Sequence, residues 1–95
     1  MKKVNLVPFE IGKTYNTLVL NSFNVKTNDD EIESISIPYA IIGDSVNGSQ
    51  PPSLPTIPIV ITKDEMPKQL GYNTIVPIVI SKFNESSSFK IELAK

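Results

Sequence analysis

The segments Pro58-Ile59-Val60-Ile61-Thr62-Lys63 and Pro77-Ile78-Val79-Ile80-Ser81-Lys82 repeat one pattern of residues, 19 positions apart. Shorter forms of the pattern occur at 7–11 and 37–41. Each begins with an aliphatic residue, continues with proline and ends with isoleucine at its fifth position. Proline cannot donate a backbone hydrogen bond, so within a sheet it occupies the first residue of a strand, an edge or a bulge. The pattern therefore predicts four extended segments, although a chain with 13 isoleucines, eight valines and eight prolines could also produce it by chance.

The first long strand predicted after the opening segment changes its apolar face partway along. Leu18 and Leu20 share one side of a regular strand, because strand side chains alternate. Phe23 and Val25 then fall on the opposite side. A bulge or a strong bend near Asn21-Ser22 would return all four side chains to one face.

The segments that follow predict a hairpin and two buried strands. Residues 34–42 alternate apolar and polar side chains, and residues 28–31 have the composition of a turn. The Ile/Val runs at 57–62 and 75–81 have the composition of strands that are buried on both faces or packed in a tight barrel or sandwich. Residues 63–73 are too short, and too rich in proline and glycine, for a crossover helix, so antiparallel connections are favoured.

These patterns predict a single all-β domain over residues 1–95, an antiparallel sandwich or barrel of about five to six strands. At most one short helical turn is expected. The predicted strands are 7–11, 13–26, 34–42, 57–62, 75–81 and 89–93.

Composition argues against several kinds of site. The chain has neither cysteine nor histidine, so it lacks thiolate zinc ligands and the commonest general base. Its acidic residues cluster in turns, with no spacing typical of a calcium loop. We therefore expect no enzymatic activity, no metal site and no cofactor. No secretory signal and no membrane-spanning stretch is evident, so synthesis in the cytoplasm, without a membrane partner, is expected.

The longest predicted loop is exposed, covers residues 44–56 and is rich in proline and serine. Long ordered loops in small domains often have functional roles. A stiff, polyproline-like segment loses little conformational entropy on binding, which suits a contact arm. The predicted protein-interaction residues are Val46, Gln50, Pro51, Pro52 and Leu54, together with the exposed edge of one strand that is opened by proline.

Binding of single-stranded nucleic acid is the alternative. Small oligonucleotide-binding barrels open with a long bent strand, and such proteins stack bases on aromatic rings beside basic residues. The residues predicted for that groove are Lys13, Tyr15, Phe23, Lys26, Tyr72 and Lys82. The net charge of −1 counts against this alternative, because attraction to phosphates dominates such binding.

The sequence as a whole favours a building block over a catalyst. We expect a non-enzymatic structural or protein-interaction module, an accessory subunit of a larger assembly such as a bacteriophage particle, incorporated in the virion. The phage setting is an analogy from size and composition. The partners would be other protein subunits, among them further copies of the chain, because a small core gains from burying a second face. Inhibition of a host enzyme by surface mimicry is a third hypothesis.

Overall fold

The computed structural model describes residues 2–45 and 48–94. The strands are β1 (Lys2–Ile11), β2 (Lys13–Leu20), β3 (Asn24–Asn28), β4 (Glu31–Ile37), β5 (Tyr39–Ile42), β6 (Ser53–Leu54) and β7 (Ile59–Thr62), and the helix is α1 (Tyr72–Ser86). One antiparallel sheet has the order β1-β2-β5-β6, and the other has the order β3-β4-β7. A short 3-10 turn, Lys63–Glu65, follows β7.

One long hairpin passes through both sheets. Strands β2 and β5 pair in the first sheet, and their continuations β3 and β4 pair in the second. The two arms bend side by side, where the Asn21 N–H donates to the Pro38 carbonyl over 3.2 Å. Pro38 has no N–H with which to continue a ladder, so its strand breaks there. The bend predicted near Asn21-Ser22 is confirmed, and it carries the chain from one sheet to the other.

The hairpin closes at Asp29 and Asp30, whose φ angles are 50° and 65°. Left-handed geometry at both central residues is that of a type I′ turn, whose twist matches the flanking strands. Beside the turn, Lys63 Nζ lies 2.6 Å from Glu31 Oε2. The hairpin predicted around residues 28–31 is therefore confirmed.

Strand β1 is an edge of the first sheet and contains Pro8 where its register with β2 shifts. The missing proline donor thus falls where the ladder is already interrupted. The C-terminal segment pairs with β1 beside this shift. The Val7 N–H donates to the Glu92 carbonyl over 2.8 Å, and the Ala94 N–H donates to the Asn5 carbonyl over 3.0 Å.

Residues 75–81 lie in helix α1, so the strand predicted there is wrong. The helix buries Ile75, Val76 and Val79, which is the spacing of one helical face. Pro77 lies on the exposed side of the helix. A proline at this position removes one helical hydrogen bond, but its ring projects into solvent and leaves the packed face intact.

One apolar cluster joins both sheets to α1. Its fully buried members are Leu6, Leu18, Leu20, Ile35, Ile37, Ile41, Ile61, Ile75 and Val79. Within the described residues, the seven strands form open sheets that do not close into a barrel. The predicted all-β character is confirmed in its main part.

Four details of the predicted fold are wrong. The predicted strands 13–26 and 34–42 each divide at the bend, and together with the short β6 this raises the strand count to seven. The barrel alternative is wrong for the described part of the chain, and a helix of 15 residues is present in addition to the short turn at Lys63–Glu65. The predicted strand 89–93 is reduced, in the described structure, to a bridge between Leu6 and Leu93.

Gly43 occupies a tight contact between β2 and the proline-rich loop. A Cβ atom added at this residue would lie 2.1 Å from the Thr14 carbonyl oxygen and 2.9 Å from Pro52 Cγ. We expect Gly43→Ala to destabilise the fold by about 1–3 kcal/mol, because backbone must move to admit the methyl group. Urea unfolding followed by far-UV circular dichroism measures this cost.

Gly71→Ser is the matched control for this substitution. A Cβ atom at Gly71 meets nothing within 4 Å, and serine is favoured at the N-cap position that Gly71 occupies. Its free energy of unfolding should stay within about 0.5 kcal/mol of that of the parent chain. Equal effects of the two substitutions would contradict the close contact at Gly43.

Candidate interaction surface

An exposed aliphatic surface lies along β7 and the segment that precedes it. We call it the β7 edge surface and define it by Ile57, Pro58 and Val60. Ile57 is 83% exposed and Val60 is 50% exposed. Strand β7 is the last strand of its sheet, so its outer backbone groups face away from β4. The surface therefore combines apolar side chains with the edge of a sheet.

Two local features hold this surface in place. Pro55 and Pro58 restrict the backbone on both sides of Ile57 and favour extended geometry at the residues before them. The Thr56 hydroxyl donates a hydrogen bond to the Tyr39 carbonyl and fastens the segment to β5. Ile57 is thus presented on a restrained backbone.

A groove of about 520 Å³ runs between the β7 edge surface and the C-terminal half of α1. Its apolar lining includes Tyr39, Ile59 and Phe83, and its charged lining includes Lys82 and Glu85. Apolar centres with polar rims are typical of protein contact sites.

Aromatic packing stabilises the wall of the groove. The rings of Tyr39 and Phe83 meet edge to face, with centroids 6.3 Å apart. Burial raises the pKa of the Tyr39 phenol, so the hydroxyl stays neutral over the ordinary pH range. The groove is therefore uncharged at this wall.

An ion pair links α1 to the turn after β7. Lys82 Nζ lies 2.5 Å from Glu65 Oε2, and the Thr62 hydroxyl donates to Glu65 Oε1 over 3.0 Å. The hydrogen bond from Lys82, followed by those from the Thr62 hydroxyl and N–H, lowers the pKa of Glu65 below its ordinary value of 4.5. The carboxylate thus joins the end of β7 to the helix.

This ion pair predicts an acid-sensitive contribution to stability. A lowered folded-state pKa stabilises the fold above the unfolded value of 4.5, and the contribution is lost as the pH falls through the folded value. Glu65→Gln should therefore differ most from the parent chain at neutral pH and converge with it near pH 3. Lys82→Met should show the same trend, and urea midpoints that differ by a constant amount at both pH values would contradict this.

The structure buries or pairs the aromatic residues that the nucleic-acid hypothesis requires. Tyr15 is only 6% exposed, and its ring stacks on Phe9 at 5.7 Å. Phe23 and Tyr72 do come together, but they pack edge to face against each other at 5.4 Å. Because each of these rings already contacts another aromatic ring, less of its face is open for a nucleic-acid base to stack on.

The three lysines predicted for the same groove lie on different elements. Lys13 opens β2, Lys26 lies in β3, and Lys82 lies in α1. Lys26 Nζ is 3.7 Å from Glu33 Oε2, and Lys82 is paired with Glu65 as described above. The described ion pairs therefore compete with phosphate at two of the three positions.

The proline-rich loop is partly docked, contrary to the fully exposed arm expected for 44–56. Leu54 is half-buried in β6, which pairs with β5. The Pro52 carbonyl accepts a hydrogen bond from the Gly43 N–H over 2.9 Å. Gln50 and Pro51 remain exposed, whereas the predicted contact residue Val46 lies outside the described residues.

Sequence reasoning missed the exposure of Ile57 and Val60. Of the two possibilities predicted for the run 57–62, burial on both faces is wrong, because Val60 and Thr62 face outwards while Ile59 and Ile61 are buried. The usable signal was the proline at 58, since prolines occur beside edge strands more readily than beside central ones.

Comparison with protein-family models, with curated proteins and with solved structures found no match for this chain. Among residues 2–45 and 48–94, none of the helical segments has the length and apolar character needed to cross a membrane. The same part of the chain brings together no cluster of three or more metal-ligating side chains.

Proposed function

We propose that this chain is a non-enzymatic structural or protein-interaction module, a subunit of a larger protein assembly, and that it contacts its partner through the β7 edge surface. The exposure of Ile57, at 83%, is the observation that carries the proposal. An isoleucine this exposed contributes little to the core, and it adjoins further exposed apolar area at Val60. Grouped apolar residues with a polar rim are typical of protein contact surfaces.

The restrained backbone around Ile57 supports the same proposal. Association costs free energy when loops and side chains must be ordered at the interface. Two prolines and the hydrogen bond from Thr56 to Tyr39 already order this segment in the free chain. A partner would therefore meet a surface that needs little rearrangement.

Gln50 and Pro51 form a second, smaller contact region in this proposal. They are exposed residues of the proline-rich loop, whereas Ser53 and Leu54 of the same loop pair with β5. A deletion across 50–53 would also remove β6 pairing, so substitutions at Gln50 and Pro51 test this region without that loss. The bacteriophage setting stays a prediction from size and composition.

Methyl NMR of the full chain in extract from the producing cells tests the proposal. The Ile57 and Val60 signals should broaden, because their methyl groups lie in the proposed contact. Ile11 and Val25 are matched controls, with exposures of 42% and 51% on other strands, and their signals should stay sharp. Unchanged Ile57 and Val60 signals, or equal broadening at all four, would overturn the proposal.

The nucleic-acid alternative has its own test, because no described contact favours it over the proposal. Labelled single-stranded DNA of about twenty to thirty nucleotides is titrated with the chain at low and at higher salt. The proposal predicts no saturable change in anisotropy. Saturable binding that weakens with salt would favour the alternative.

A further inference from the structure

Three of the four sheet edges carry features that oppose pairing with another strand. β1 is interrupted beside Pro8 and is paired with the C-terminal segment. β6 has only two residues. β3 contains Lys26 and a register shift next to it. Charged residues, bulges and very short strands are the means by which proteins keep sheet edges from associating.

Strand β7 is interrupted by neither a charged residue nor a register shift in the described structure, and Pro58 lies just before its first residue. Its four residues, Ile59–Thr62, are all β-branched and uncharged, and its ladder with β4 runs without a register shift. β-branched residues favour paired strands. The edge that is suited to another strand is therefore the one that adjoins the most exposed isoleucine of the chain.

We propose that β7 pairs in antiparallel fashion with β7 of a second copy of this chain, which joins two three-stranded sheets into one of six strands. This inference rests on the proposed function and names the partner of the same surface. A two-fold axis places the central residue of the strand opposite its own counterpart, so a self-pairing edge must be free of charge at its centre. β7 meets that requirement, whereas β3 would bring Lys26 close to the partner's Lys26.

The alternation of side chains restricts the register, and the pairing centred on Val60 is the one that covers the most exposed apolar side chain of β7. Directly opposed residues in an antiparallel pair point to the same face, so Val60 can oppose the partner's Val60 but not the partner's Ile61. This register covers the exposed half of Val60. It also brings Ile57 opposite the aliphatic stem of the partner's Lys63, which can cover apolar surface.

The charges nearest the edge are already neutralised within one copy. Lys63 is paired with Glu31 at 2.6 Å, and Lys82 is paired with Glu65 at 2.5 Å. In the register above, Lys63 lies opposite the partner's Ile57, so the two-fold arrangement does not set the lysines of the two copies against each other as free like charges. That balance favours a second copy over a strongly charged partner.

Sedimentation velocity of the full chain at about 10 μM to 1 mM tests the inference. A species of twice the 10.5 kDa chain mass should accumulate as the concentration rises. Val60→Lys should raise the dimer dissociation constant at least about tenfold, because it sets two ammonium groups opposite each other. Val25→Lys is the control, since Val25 is equally exposed on β3, and it should leave association unchanged.

Ile57→Lys is a second test variant for the case that Val60→Lys does not fold. Residue 57 lies outside the strand and is largely exposed, so a lysine there should leave the fold intact. It should also weaken the dimer, and circular dichroism checks that all variants stay folded. A parent chain that remains monomeric throughout, or a folded Val60→Lys variant that still dimerises, would overturn the inference. A monomeric chain whose Ile57 methyl nevertheless broadens in extract would leave the proposed function standing with a different protein partner.

Discussion

Replacing Pro77 with alanine is expected to stabilise the protein by up to about 3 kcal/mol, because proline is about that much less favourable than alanine inside a helix. Pro77 is the sixth residue of α1, so its missing N–H leaves the Asn73 carbonyl without its helical donor. Alanine restores the donor, and Pro77 is exposed, so no core contact is lost. Thermal unfolding should shift upward by about 4–8 °C for each kcal/mol.

Pro58→Ala provides the matched control with the opposite sign. Pro58 lies in extended backbone just before β7, where proline suits the local geometry. Its replacement should cost up to about 1 kcal/mol, because the unfolded chain gains conformational freedom. If Pro77→Ala destabilised the protein as Pro58→Ala does, residues 75–81 would not be helical.

Ile61→Ala should destabilise the protein by about 2–5 kcal/mol, whereas Val60→Ala should cost less than about 1 kcal/mol. The two side chains are neighbours in β7 but face opposite ways, with Ile61 fully buried and Val60 half exposed. Loss of Ile61 leaves a cavity beneath both sheets and α1. Urea unfolding of the two variants, with equal m-values, measures the difference.

The comparison of Ile61 with Val60 also separates stability from binding. A small cost at Val60 would mean that this valine contributes little to the core of one chain, so a change in binding at Val60→Ala would not come from lost stability. Equal costs at both positions would mean that β7 is buried on both faces, which the alternation in the structure contradicts.

The central hairpin could be predicted because its signals are local. Turn residues at 28–31 and the change of apolar face after Leu20 each act over a few residues. The bend near Asn21 follows from the same signals, whereas the matching break at Pro38 was not predicted. What local pattern could not supply was the second sheet, because a change of face is satisfied equally by a bulge within one sheet.

Helix α1 was missed because its apolar residues are β-branched and follow a proline, which are features of strands. A helical spacing was nevertheless present, since Tyr72, Ile75, Val76, Val79 and Phe83 recur at three and four residues. Short apolar runs do not separate helix from strand by composition. Packing against both sheets decides the matter here.

The site was only partly accessible to sequence reasoning. Gln50 and Pro51 are exposed as expected, but the stacking residue Tyr15 is buried in the core. Ile57 and Val60 were overlooked because pairing partners decide whether a strand is central or at an edge. That information lies in the tertiary arrangement and not in the run of residues.

The most direct measurement is photo-crosslinking in the cells that produce the protein, with Ile57 replaced by a benzophenone amino acid. Asn73 is the control position, since it is exposed at the opposite end of α1. If the β7 edge surface is the contact site, irradiation yields one discrete protein adduct from position 57 and none from position 73. The same adducts from both positions, or none from position 57, would contradict the account.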